Sequence, residues 1–237
     1  MTQHKRGKMY GIGLGPGDPE LMTLKAARLI GAASVIAYPS LAGGASFARS
    51  IAADFIPDGA REIVMDVPMT VERGPAQAAY DLGARDIAAA LEAGEDVVVL
   101  CEGDPFFYGS FMYIFARLKD VFDIEIVPGV SSVTACAAAA KLPLVARNEV
   151  MTVLPAPLDD AALRAKLESA DTLVLMKLGR HFSRVRAAIE AAGLTENSVY
   201  IERATNAGEV VTSLKEAPLK APYFSMILIV KGADPWL

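Results

Sequence analysis

The sequence has few of the residues that build zinc sites and histidine-based catalytic centres. Its 237 residues include only two cysteines, Cys101 and Cys136, and two histidines, His4 and His181. No CxxC pair occurs, and both cysteines lie among small or apolar neighbours, which favours buried thiols in a reducing compartment. We therefore expect no metal site and no catalytic triad that depends on histidine.

A basic surface and a long apolar run are also missing. Lys and Arg number 23 against 28 Asp and Glu, which gives a formal net charge of −5 and argues against a nucleic-acid partner. The longest uncharged stretch, 29–48, is broken by Pro39, Gly43 and Gly44, whereas a membrane-spanning helix needs about 20 mainly apolar residues. The basic start, 1–8, has no apolar segment behind it and does not resemble a signal peptide. We expect a cytoplasmic protein without a membrane partner.

Hydrophobic residues make up 53% of the chain, and their pattern predicts two α/β domains. In the first half, apolar runs such as 97–101 alternate with amphipathic stretches, which is typical of a mainly parallel sheet covered on both faces. One of these strands, 34–38, is predicted to end at Pro39. In the second half, closely spaced strands indicate hairpins and hence a mixed sheet. We predict an N-terminal domain over 1–127 and a C-terminal domain over 128–237.

Three turns that follow predicted strands can bring the backbone close to a ligand. The turn 11–19 has four glycines, but Pro16 stands where a dinucleotide-binding fingerprint requires its third glycine. The other two turns are 102–109 and 127–132. Because ligands bind outside the carboxyl ends of strands in open parallel sheets, the three turns together predict a binding site at that edge.

Two of the turns contain an Asp-Pro pair that favours the start of a helix. Asp18 and Asp104 can each cap a helix N-terminus, and proline fits the first helical turn. We therefore predict helices over 19–33 and 105–119. Capping does not explain Glu102, since two adjacent carboxylates at one strand end repel each other, and this residue points to a site.

Six segments, in order and over nearly the whole chain, resemble the tetrapyrrole (corrin and porphyrin) methyltransferase family. They are 10–18 (YGIGLGPGD), 33–39 (ASVIAYP), 103–109 (GDPFFYG), 128–132 (PGVSS), 173–177 (LVLMK) and 202–205 (ERAT). Within the family, three further segments look most like the precorrin-2 C20-methyltransferases of cobalamin synthesis. These are 153–157 (VLPAP), 176–180 (MKLGR) and 222–227 (PYFSMI).

The resemblance implies the tetrapyrrole methylase fold, in which two α/β domains hold S-adenosyl-L-methionine in the cleft between them, and a homodimer. It also implies a cofactor site without a metal. The residues of that site would be Pro16, Glu102, Gly103, Asp104, Phe107, Ser131, Ser132, Met176, Lys177 and Ala204. Whether Met176 or Lys177 takes the family's contact position stays open, because the alignment can shift there by one residue.

The implied reaction is methylation of precorrin-2, the tetrapyrrole substrate, at its C20 carbon, followed by loss of a proton. The sulfonium methyl group is already an activated electrophile, so the enzyme has to orient the reactants and accept the proton. The candidate bases are Asp104, Lys177 and Tyr223, with Glu102 behind them. The substrate carboxylates require cations, for which the candidates are Arg147, Arg180, Arg184 and Arg203. Arg180 and Arg184 fit a solvated helix face equally well.

Three other functions are compatible with the sequence. The first is methylation of cobalt-factor II, the metal-containing substrate of the anaerobic pathway. The second is methylation of RNA or protein, as in some members of the family, although the net charge of −5 argues against RNA. The third is a non-catalytic carrier of a tetrapyrrole or cofactor, against which the intact Gly103-Asp104-Pro105 argues.

Overall fold

The computed structural model describes residues 5–41, 44–68 and 72–232, which form two compact units. Unit 1 ends at Ser131 and unit 2 begins at Ser132. The domain boundary at 127/128 stays a prediction of the sequence. No helix among the described residues is both long enough and apolar enough to cross a membrane.

The sheet of unit 1 is entirely parallel, as predicted. Its strands are β1 (Met9–Gly13), β2 (Val35–Leu41), β3 (Arg61–Val67), β4 (Val97–Cys101) and β5 (Ile124–Val127). They are arranged in the order β3-β2-β4-β1-β5, with every pairing parallel. This order places β4 and β1 inside the sheet, so that the turns after β4, β1 and β5 follow three neighbouring strands.

Helices cover both faces of this sheet. They are α1 (Leu24–Gly31), α2 (Phe47–Ile51), α3 (Arg73–Glu92) and α4 (Phe111–Leu118). Side chains of a strand alternate between faces: Val97, Val99 and Cys101 of β4 belong to the core under α3 and α4. Val98 and Leu100 belong to the core under α1 and α2. All of β4 is therefore buried, which explains its continuous apolar sequence.

The prediction that Pro39 ends the second strand is wrong. Strand β2 continues to Leu41 and stays paired with β3 along its whole length. Its pairing with β4, however, covers only Val35–Ala37. Pro39 lies beyond that stretch, so its missing N–H breaks no hydrogen bond to β4, and the strand tolerates the proline.

The predicted helices after the two Asp-Pro pairs are shorter than expected. Asp18 does cap a helix by accepting a hydrogen bond from the Glu20 N–H, but this is a three-residue 3₁₀ helix, and α1 starts separately behind Thr23. The prediction of a helix from residue 105 is wrong, because α4 begins only at Phe111. Asp104 is therefore not an N-cap.

Unit 2 contains the predicted mixed sheet. Its strands are β6 (Met151–Pro155), β7 (Thr172–Met176), β8 (Ser198–Glu202), β9 (Val210–Ser213) and β10 (Ser225–Val230), in the order β6-β7-β10-β8-β9. Only β6 and β7 pair in parallel, and the other pairings are antiparallel. The helices are α5 (Ser132–Ala140), α6 (Asp160–Ser169) and α7 (Phe182–Ala191). Leu163 and Leu167 of α6 pack with Phe182 and Ile189 of α7 in the core of this unit.

Both cysteines are buried free thiols, as the sequence predicted. Cys101 ends β4 and Cys136 lies in α5. Burial raises the pKa of the Cys101 thiol to about 11 and that of the Cys136 thiol to about 12. Each thiol therefore stays protonated at neutral pH and is a poor nucleophile.

Candidate functional site

Three glycines bring the carboxyl ends of neighbouring strands of unit 1 into contact. Gly13 ends β1, Gly103 follows β4, and Gly129 follows β5. A Cβ atom added to Gly129 would lie 2.1 Å from the Gly103 carbonyl oxygen, and one added to Gly13 would lie 2.5 Å from the Gly129 nitrogen. Only glycine allows the backbones to come so close. We call these residues the three-glycine junction.

Backbone hydrogen bonds hold the first turn against the second. The Gly103 N–H donates to the Gly15 carbonyl at 2.7 Å, and the Gly15 N–H donates to the Gly103 carbonyl at 3.2 Å. Both residues adopt the left-handed conformation, with φ of 81° at Gly15 and 64° at Gly103, which glycine adopts without strain. The glycines of turn 11–19 therefore allow the backbones that follow β1 and β4 to come close together.

The Asp104 carboxylate connects the turn after β4 to the turn after β5. Its Oδ1 accepts a hydrogen bond from the Phe106 N–H at 2.9 Å, and its Oδ2 accepts one from the Gly129 N–H at 3.0 Å. Each oxygen is thus bound to a backbone group. Asp104 holds the three-glycine junction together, which is a different task from the helix cap expected from its sequence.

Glu102, which precedes Gly103 and Asp104 in the chain, is half-buried. Burial raises the pKa of its carboxyl group, while hydrogen bonds from its own N–H and from the Ala48 N–H of α2 act in the opposite direction. The two adjacent carboxylates therefore use different backbone donors.

Unit 1 gathers most of the predicted cofactor residues around the three-glycine junction. Pro16 follows Gly15 and is half-buried, as are Phe107 and Ser131. The Phe107 N–H donates to the Asp104 carbonyl at 3.3 Å, and the Phe107 ring lies edge-on to Tyr108, with 5.3 Å between centroids. A Cβ atom at Gly103 would meet no atom within 4 Å, so there is open space at that point of the junction.

Unit 2 places its own candidates at one end of its sheet. Met176 ends β7 and Lys177 follows it, while Ala204 comes shortly after β8. Met226 of β10 pairs with Met176, and Ser225 pairs with Glu202, so the residues before β10, including Tyr223, belong to the same end. Ser132 is the first residue of α5.

Strained backbone marks the same end of unit 2. Lys177, Arg203 and Thr205 adopt the left-handed conformation, with φ of 61°, 51° and 66°, which costs about 1–3 kcal/mol for each such residue. Sequence reasoning missed this feature, because none of the three is glycine or asparagine. Burial lowers the pKa of the Lys177 ammonium group.

The candidate arginines differ in their surroundings. Arg184 donates to the Leu158 carbonyl at 2.8 Å and also binds Asp160 and the Ala156 carbonyl, so it serves the packing of unit 2. Arg147, Arg180 and Arg203 are exposed.

Within residues 5–41, 44–68 and 72–232, no group of three or more His, Cys, Asp or Glu side chains is placed to hold a metal ion.

Comparison with known proteins identifies one family. A family model described as Tetrapyrrole (Corrin/Porphyrin) Methylases matches residues 8–219. The precorrin-2 C(20)-methyltransferase of a Sinorhizobium species is 38% identical, over 96% of this chain and 97% of that protein. The cobalt-precorrin-2 C(20)-methyltransferase of Salmonella typhimurium is 34% identical, over 95% of this chain and 97% of that protein.

Other matches are longer proteins or solved structures. The cobalamin biosynthesis protein CobIJ of Mycobacterium tuberculosis is 43% identical over 96% of this chain but only 46% of its own length, so the chain spans about half the length of the first curated relatives it matches. The crystal structure of the cobalt precorrin-4 methyltransferase CbiF superimposes with a TM-score of 0.69 and 28% identity, covering 96% of each chain. Uroporphyrin-III C-methyltransferase of Thermus thermophilus, complexed with S-adenosyl homocysteine, gives a TM-score of 0.68 at 24% identity, over 95% of this chain and 92% of that one.

The Asp104 contacts generate a stability prediction. In Asp104→Asn, whichever way the amide turns, either the Phe106 N–H or the Gly129 N–H loses its acceptor. We expect the free energy of unfolding in urea to fall by about 1–3 kcal/mol. The matched control Asp120→Asn, an exposed residue beside Lys119, should change it by less than about 0.5 kcal/mol. Equal effects of the two substitutions would refute a connecting role for Asp104.

Proposed function

The chain belongs to the tetrapyrrole (corrin/porphyrin) methylases, and on that basis we propose that it is an S-adenosyl-L-methionine-dependent C-methyltransferase. Its proposed reaction methylates C20 of precorrin-2 and gives precorrin-3A in cobalamin biosynthesis. The observation that carries the proposal is the 38% identity to a precorrin-2 C(20)-methyltransferase over nearly the full length of both chains.

The three-glycine junction supports a cofactor site in unit 1. Because Gly103 has no side chain and a Cβ atom there would meet no atom within 4 Å, a ligand can approach the backbone N–H and C=O groups of the turn after β4 at this point. Such groups suit the amino and carboxylate groups of the methionine part of S-adenosylmethionine. The proposed contacts in unit 1 are Pro16, Glu102, Gly103, Asp104, Phe107 and Ser131; those in unit 2 are Ser132, Met176, Lys177 and Ala204.

In the proposed reaction, C20 forms a bond to the methyl carbon, the methyl–sulfur bond breaks, and S-adenosylhomocysteine leaves. C20 then loses its proton to a base. Of the three candidates, Asp104 already holds two backbone N–H groups, so we assign it a positioning role. Lys177 is the proposed base, because burial favours its neutral amine. Tyr223 is the second candidate.

This assignment predicts a pH profile. A base is active when it is deprotonated, and the pKa of Lys177 lies below the ordinary value of 10.5, so kcat should rise with pH and level off earlier than an exposed lysine allows. We expect Lys177→Gln to lower kcat by about 100-fold or more and to abolish that rise.

Tyr223→Phe keeps the aromatic ring and removes only the hydroxyl group. With Lys177 as the base, this variant should retain the kcat and the pH profile of the wild type. The opposite pattern, a large loss in Tyr223→Phe and little change in Lys177→Gln, would transfer the role of the base to Tyr223.

The substrate is tested by mass spectrometry. The purified protein is incubated with S-adenosylmethionine and either precorrin-2 or cobalt-factor II, and S-adenosylhomocysteine and methylated tetrapyrrole are measured. Transfer to precorrin-2 alone is the expected result. Transfer mainly to cobalt-factor II would favour the anaerobic alternative. The 34% identity to a cobalt-precorrin-2 methyltransferase supports that alternative. Methylation of neither would refute the proposed reaction.

The proposal also includes a homodimer located in the cytoplasm. The dimer is the assembly implied by the family resemblance, and sedimentation velocity measures it directly. The reducing compartment is supported by two buried free thiols. The acidic balance of the chain supports a small-molecule substrate over a nucleic acid.

A further inference from the structure

Two exposed aromatic side chains stand next to each other at the start of β10. Tyr223 is 48% exposed and Phe224 is 51% exposed. Their rings are in edge-on contact, with 5.4 Å between the centroids and 80° between the ring planes. Single exposed hydrophobic residues are common, but two adjacent aromatic rings form a patch that suits a flat apolar ligand.

Arg203 lies directly beside this aromatic pair. Its backbone N–H donates to the Phe224 carbonyl at 3.0 Å, and its side chain is 51% exposed. The Glu202 carboxylate lies 3.6 Å from the guanidinium and also accepts a hydrogen bond from the Tyr200 hydroxyl at 2.8 Å. The charge of Arg203 is therefore only partly neutralised, and its guanidinium can pair with a further carboxylate.

Lys177 lies on the other side of the pair. Strand β10 runs between β7 and β8, so the residues before β10 have Lys177, after β7, on one side and Arg203, after β8, on the other. The turn that follows Lys177 is close to the backbone of Tyr223, because a Cβ atom at Gly179 would lie 3.9 Å from the Tyr223 Cα. Two aromatic rings beside the Arg203 guanidinium complement a flat, conjugated molecule that carries carboxylates.

We propose that Tyr223, Phe224 and Arg203 form the binding surface for the substrate macrocycle, with one ring stacked on its face, the other ring edge-on to it, and the Arg203 guanidinium on one of its peripheral carboxylates. This inference rests on the proposed function and adds the residues that recognise the substrate. The surface recognises flatness and negative charge, so it serves metal-free and cobalt-containing macrocycles alike. The adenine of S-adenosylmethionine is flat but carries no carboxylate, and Arg203 therefore favours the macrocycle.

Steady-state kinetics distinguish effects on precorrin-2 binding from effects on S-adenosylmethionine binding. With precorrin-2 as the varied substrate, Arg203→Gln should raise KM about tenfold or more, because one charge-assisted contact is lost. Arg203→Lys, which keeps the charge, should recover part of that loss. Phe224→Ala, which removes one ring of the pair, should also raise this KM. KM for S-adenosylmethionine should stay within about twofold in all of them, as should both constants in the control Arg164→Gln, an exposed arginine of α6.

Equilibrium binding measurements test the proposed surface without requiring methyl transfer. Octacarboxylic uroporphyrin, tetracarboxylic coproporphyrin and S-adenosylhomocysteine are titrated into the wild type and the same variants. The expected result is that Arg203→Gln weakens uroporphyrin binding and leaves S-adenosylhomocysteine binding unchanged. Coproporphyrin, with fewer carboxylates, should bind more weakly than uroporphyrin to every variant. Added salt should weaken the binding of both porphyrins.

Two outcomes would overturn the inference. One is unchanged uroporphyrin affinity in both Arg203→Gln and Phe224→Ala, and the other is weakened S-adenosylhomocysteine binding in these variants, which would assign the surface to the cofactor. Uroporphyrin binding that depends on Arg203, in a protein that methylates neither precorrin-2 nor cobalt-factor II, would refute the proposed reaction and still support the surface.

Discussion

The architecture of unit 1 depends on how closely three strand ends approach one another. A parallel sheet places the ends of β4, β1 and β5 side by side, but side chains would normally keep the following turns apart. Gly13, Gly103 and Gly129 remove that obstacle, and the Asp104 carboxylate fixes the arrangement with a hydrogen bond to the Gly129 N–H. The result is a sheet edge at which the backbones of three turns lie close together.

The two units contribute different chemistry. Unit 1 offers mainly backbone at the three-glycine junction, whereas unit 2 offers side chains at the ends of β7, β8 and β10. Those side chains include an amine whose pKa is lowered by burial, a partly compensated guanidinium and two exposed rings. In the proposed reaction, the first set suits the methyl donor, and the second suits an anionic macrocycle that gives up a proton.

Local pattern was sufficient to predict the strands and the type of each sheet. Strands 97–101 and 172–176 are found as predicted. A strand that is buried on both faces needs apolar residues at every position, so a continuous apolar run predicts it. The role of Asp104 could not be predicted, because its partner Gly129 is distant in sequence and the local Asp-Pro pair suggests a helix cap instead. The left-handed backbone at Arg203 likewise accompanies a hydrogen bond from its N–H to the Phe224 carbonyl, a contact between sequence-distant residues that no local pattern encodes.

In the proposed function, the three-glycine junction is part of the cofactor site. Calorimetric titration of S-adenosylhomocysteine into the wild type, Gly129→Ala and Gly74→Ala tests it directly. A Cβ atom at Gly129 meets the Gly103 carbonyl at 2.1 Å, whereas one at Gly74 meets no atom within 4 Å. We predict tight binding to the wild type and to Gly74→Ala, and binding to Gly129→Ala that is weaker by at least about tenfold. A folded Gly129→Ala variant that binds S-adenosylhomocysteine as tightly as the wild type would contradict the account.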